Sequence, residues 1–76
     1  MTIRIQTAVA VSQIRDQLIA QMSAVPKKSA QYRKLSKFYD DVMEAWNEVR
    51  AGYYQAIDVC LETFTFTVVE YPQDNV

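Results

Sequence analysis

Between Ser29 and Glu62 the residues Tyr32, Leu35, Tyr39, Val42, Trp46, Val49, Tyr53, Ala56 and Cys60 recur at alternating spacings of three and four. Such a seam places one apolar stripe along a helix. Phe38, Met43, Ile57 and Leu61 flank and broaden it, while Arg33, Lys37, Asp40, Glu44, Asn47, Gln55, Asp58 and Glu62 take the opposite face. The pattern predicts one long amphipathic helix over 29–62, with Ser29 as its N-cap. Gly52 is the single interruption. A mid-helix glycine costs roughly 1 kcal/mol relative to alanine, so it marks a kink, a break into two elements or a close crossing.

The rest of the chain is short by comparison. Ile3, Ile5, Thr7, Val9 and Val11 alternate with Thr2, Arg4, Gln6 and Ala8, which predicts a strand over 2–10. Ile14, Leu18, Met22 and Val25 form a helical stripe over 12–25, capped by Ser12 and stopped by Pro26. VPKKS is then a short connection that returns the next helix antiparallel to the first. Phe64, Phe66 and Val68 alternate with Thr63, Thr65 and Thr67, which predicts a second strand over 63–71. Residues 72–76 are a polar tail after Pro72. The expected fold is α+β and mostly helical: a single domain over 1–76 in the order β-α-α-β.

Length then bears on assembly. A helix over 29–62 would span ~51 Å, whereas a compact chain of 76 residues is only ~30 Å across. A twelve-residue first helix, about 18 Å long, covers about a third of such a seam. The expectation is that a second copy completes the fold, with Leu35, Tyr39, Val42, Trp46, Val49 and Tyr53 as the dimer seam. A two-fold homodimer is the commonest closed solution.

Charge supports an antiparallel arrangement. Residues 1–38 carry seven cations against Asp16 alone, a net of +6; residues 39–76 carry Arg50 against eight acids, a net of −7. The long helix therefore opens basic and continues acidic, against its own macrodipole. An antiparallel partner would set each basic end beside an acidic stretch. The basic segment Lys27, Lys28, Arg33, Lys34 and Lys37 lies where helix N–H groups are free, which suits an acidic protein surface, nucleic acid or a phosphorylated small molecule.

Chemistry is sparse. The sequence has no histidine and one cysteine, Cys60, which removes the commonest general base and any multi-cysteine metal site or disulfide framework. No catalytic residue, metal ligand or cofactor is assigned, and Cys60 reads as a small core residue. Asp40, Glu44 and Glu48 stand at i, i+4 and i+8 with Asp41 beside them, an edge that could hold Mg²⁺. All-helical nucleotide pyrophosphatases use paired acidic motifs of this general kind, which makes a Mg²⁺-dependent nucleotide hydrolase a remote alternative; the first helix offers only Asp16. No window suggests a signal peptide or membrane span, and the lone cysteine fits a cytoplasmic setting.

An alternating first strand followed by two helices, the second with a capped polar start, resembles the ribbon-helix-helix DNA-binding regulators over residues 2 to about 45. The resemblance implies Thr2, Arg4 and Gln6 as base readers in the major groove. Lys27, Lys28 and the Ser29 amide would contact the phosphate backbone, and the acidic half would bind a protein partner as in antitoxins of that kind. The chain departs from the family in lacking a glycine in the inter-helix turn and in the length of its second helix. The leading expectation is a non-enzymatic binding module acting as a homodimer: a small regulator, inhibitor or assembly adaptor of the size found in phages and mobile elements.

Overall fold

The computed structural model describes residues 2–72. The elements run β1 (Thr2–Ile5), α1 (Ala8–Ser23), α2 (Ala30–Arg50), β2 (Ala56–Cys60) and β3 (Thr65–Val69). The α+β class and the β-α-α-β order are those expected, with one strand more. The helix expected over 29–62 is two elements: a helix that stops at Arg50, and a strand.

Gly52 causes the break. It adopts φ +92°, a region that costs a residue with a Cβ but not glycine. Its N–H donates to the Val49 carbonyl and the Tyr53 N–H to that of Glu48, both at 3.0 Å. These paired bonds close the last turn and satisfy carbonyls that would otherwise be orphaned. Beyond them the chain turns into β2. Ile57 and Val59 face the core while Asp58 and Cys60 are half-exposed, so period two governs where the three-four spacing had been extended.

The start of the chain is corrected in the same way. β1 ends at Ile5, and Thr7 rather than Ser12 caps α1 by accepting a bond from the Ala10 N–H at 3.2 Å. Val11 thereby joins Ile14 and Leu18 on the buried face of α1. Ser29 caps α2 as expected, with its Oγ 3.1 Å from the Tyr32 nitrogen.

The three strands form an antiparallel sheet in the order β1-β2-β3, with Ile3 opposite Val59 and Ile5 opposite Ile57. On the other side of β2, Val59 faces Phe66 and Ile57 faces Val68. Both helices cover one face of this sheet. Ile5, Ile14, Leu18, Leu35, Phe38, Val42, Ala45, Ile57 and Val59 make one buried cluster. Thr2, Arg4, Thr65 and Thr67 on the opposite face are exposed.

The sheet underlies only part of α2. Five-residue strands extend about 17 Å, against about 32 Å for the 21-residue helix. Phe38 packs on Phe64 and Phe66 where the β2–β3 hairpin turns. The helical hairpin before Phe38 therefore projects past the sheet, and the molecule measures 53 × 23 × 21 Å.

Candidate functional site

The projecting tip carries the basic segment. Lys27 and Lys28 lie in the connection between the helices, Arg33, Lys34 and Lys37 on the first turns of α2, and all five are exposed. Lys37 donates to Asp41 at 2.9 Å, one turn along the helix. The hydrogen bond and the charge of Asp41 raise the pKa of Lys37 above the ordinary lysine value. Lys27, Lys28, Arg33 and Lys34 make no ion pair among the described residues. Their charge sits at the positive end of the helix dipole, where each cation is unfavourable by roughly 0.3–1 kcal/mol at low salt.

Apolar surface adjoins these cations. Ile19 is 46% exposed, and with Met22, Ser23, Lys27 and Tyr32 it lines a shallow hollow of about 140 Å³. A partly exposed apolar patch flanked by charge is the ordinary make-up of a contact surface between macromolecules.

The expected dimer seam is placed differently. Leu35 and Val42 are buried in the core of the single chain, and Tyr39, Trp46 and Val49 pack half-buried against it. Tyr53, 72% exposed, lies beyond the end of the helix. Phe38, which flanks the predicted seam, and Ala45, which is not part of it, are buried as well. The buried face of α2 is thus rotated from the predicted stripe toward β3. The sequence-based case for a second copy, a helix too long for its own chain, does not apply to a helix ending at Arg50.

The acids of α2 take two roles. Asp41 holds Lys37, and together with Glu44 and Glu48 it lines a hollow of about 220 Å³ against Phe66 and Val68. Among the described residues no three acidic or cysteine side chains converge to hold a metal ion. No helix among them is long and apolar enough to cross a membrane.

Arg4, a base reader in the ribbon-helix-helix reading, faces Asp58 across the β1–β2 ladder and binds its carboxylate at two points. β1 itself pairs with β2 of its own chain, whereas in that family it would pair with the β1 of a partner. Reading a base would require Arg4 to release Asp58. Cys60 sits on the open sheet face rather than in the core, half-exposed. The hydroxyl and amide of Thr63 and the amide of Glu62 hold its thiol below the usual pKa.

One feature has no sequence signal. The β2–β3 turn places Phe64 at φ +53°, a conformation bulky residues rarely adopt. Its ring stays 39% exposed while meeting Phe38 edge-on at 5.8 Å. Thr63 and Phe64, with Lys34, Lys37, Phe38 and Asp41, bound a hollow of about 380 Å³. In the sequence, Phe64 is one more alternating residue of a strand; only the turn reveals it as a wall of this hollow.

Comparison with known protein families, curated proteins and solved structures finds no match to this chain.

Proposed function

We propose that the protein is a non-enzymatic binding module, a small regulator, inhibitor or adaptor. Its projecting helical tip recognises an acidic protein surface. The observation that carries the reading is the tip itself. Four cations without an ion pair among the described residues stand at the positive end of α2 beside exposed Ile19 and half-buried Met22 and Tyr32. Such an arrangement disfavours the isolated chain slightly and favours an anionic partner that neutralises it. The apolar hollow would give that partner a place to bury a side chain. A homodimer belongs to the same reading, and so does a cytoplasmic setting. Support for the homodimer is the outer edge of β1, which has no neighbouring strand among the described residues, and the exposed Tyr53.

The test is affinity capture from the native host, run with and without nuclease, comparing the native chain with Lys27→Glu/Lys28→Glu. A protein that is retained after nuclease treatment and lost with the double variant supports the reading. Retention that disappears with nuclease, with affinity falling steeply as salt rises, would replace it with nucleic-acid binding.

A further inference from the structure

The outer edge of β3 and the adjoining flank of α2 form one groove whose two ends carry opposite charge. At the hairpin end lies the hollow of about 380 Å³ that Lys34 and Lys37 border, over Phe38 and Phe64. Along the helix lies the hollow of about 220 Å³ bordered by Glu44 and Glu48, over Phe66 and Val68. Asp41, which accepts from Lys37 at 2.9 Å, lines both, so the two hollows adjoin at its side chain.

Beside this groove runs an unprotected strand edge. In the order β1-β2-β3 the outer side of β3 has no neighbour among the described residues. Proteins usually guard such edges with charged side chains, proline or a bulge. Thr65–Val69 contains no charged residue and no proline; Glu70 and Pro72 come only after it. β1, the other edge, carries Arg4.

We propose that this groove binds an extended peptide segment of a partner protein, added as a fourth strand antiparallel to β3. The segment carries a basic residue in the Glu44–Glu48 hollow and, four positions later, an acidic residue in the Lys34–Lys37 hollow. The spacing comes from β3. One hollow is level with Thr63 and Phe64 and the other with Phe66 and Val68. Their centres are thus three to four residues apart, and residues i, i+2 and i+4 of a strand share a face. The middle residue lies over Phe66 and is apolar. The order of charges follows from direction. β3 runs from the lysine end toward the glutamate end, so an antiparallel segment meets the glutamates first. Backbone hydrogen bonds to the edge supply affinity, and the two hollows supply specificity.

Other occupants fit less well. Nucleic acid would lay phosphates against Asp41, Glu44 and Glu48. A second copy paired along this edge would bring its own Thr65–Val69, which has no charge for either hollow. The proposal rests on the reading of the protein as a binding module, but uses a different surface from Lys27 and Lys28.

The probe is a labelled nine-residue peptide with lysine third, leucine fifth, glutamate seventh and threonine elsewhere, compared with its charge-transposed twin. Fluorescence anisotropy should show the first binding about tenfold more tightly, with amide resonances of β3 shifting on titration. The triple variant Lys34→Glu, Glu44→Lys, Glu48→Lys should reverse the preference, which general damage to the fold would not do. Equal binding of both peptides by the native chain, binding of neither, displacement by oligothymidylate or self-association that buries β3 would each overturn the proposal. If the peptide preference is intact while Lys27→Glu/Lys28→Glu captures its partner normally, the tip reading fails and this one stands.

Discussion

Arg4 and Asp58, 54 positions apart in the chain, meet across the β1–β2 ladder. The Arg4 Nε lies 2.8 Å from one carboxylate oxygen of Asp58, and an Nη lies 3.0 Å from the other. Two parallel bonds of this kind fix orientation as well as charge. They tie the first strand to an element more than fifty residues later.

The Arg4 hydrogen bonds, with its charge, hold Asp58 below the usual carboxylate range. A group depressed in the folded state contributes stability above its unfolded pKa, which is about 3.9 for aspartate. That contribution is lost as pH falls through the folded value. Asp58→Asn should therefore lower the urea midpoint near neutral pH. Its difference from the native chain should shrink as the solution is acidified past the folded pKa of Asp58. Urea titrations at several pH values check this; a difference that persists unchanged in acid would place the effect elsewhere.

Gly52→Ala should cost about 1 kcal/mol, through backbone conformation alone. A Cβ built on Gly52 meets nothing within 4 Å, so steric crowding is not the cause. Only φ +92° is. Thermal unfolding of Gly52→Ala beside Gly52→Asn separates the two: asparagine tolerates the left-handed region better than alanine and should lose less.

Phe64 carries a conformational cost and a packing gain at the same position. Phe64→Ala removes the edge-to-face contact with Phe38 and keeps the positive φ. Phe64→Gly removes the contact and relieves the φ. The glycine variant should be the more stable of the two by about 1 kcal/mol. Equal stability in chemical denaturation would mean that the turn relaxes when the ring is gone.

Phe38 and Tyr39 are adjacent and both aromatic, but only Phe38 belongs to the buried cluster, at 6% exposure. Phe38→Ala should cost about 3–5 kcal/mol, and Tyr39→Ala about half of that or less. The reverse order would favour the stripe drawn from three-four spacing over the buried face observed.

Much of the fold is legible in the sequence because its signals are local. Alternation at Ile3 and Ile5, the stripe Ile14–Leu18–Met22 and the cap at Ser29 each depend on neighbours within a few positions. All three hold. The threonine–phenylalanine alternation likewise marks β3, whose span is Thr65–Val69 rather than 63–71. The cluster of Lys27, Lys28, Arg33, Lys34 and Lys37 is equally visible, because residues close in sequence on a turn and a helix start remain close in space.

The tertiary structure decided what period and spacing leave open. Tyr53, Ala56 and Cys60 continue a helical seam by coincidence, and only the hydrogen bonds around Gly52 show that the helix has already ended. Which side of α2 is buried depends on where the sheet lies. β2 and β3 lie toward Phe38 and Ala45, so those two are covered while Tyr39 and Trp46 remain partly open. The groove beside β3 was beyond reach for the same reason. Its lysines and acids come from α2 and its phenylalanines from the hairpin, and helical or strand period describes one element at a time. Strand pairing and the docking of a helix on a sheet bring distant residues together, and that contact has no counterpart in local pattern.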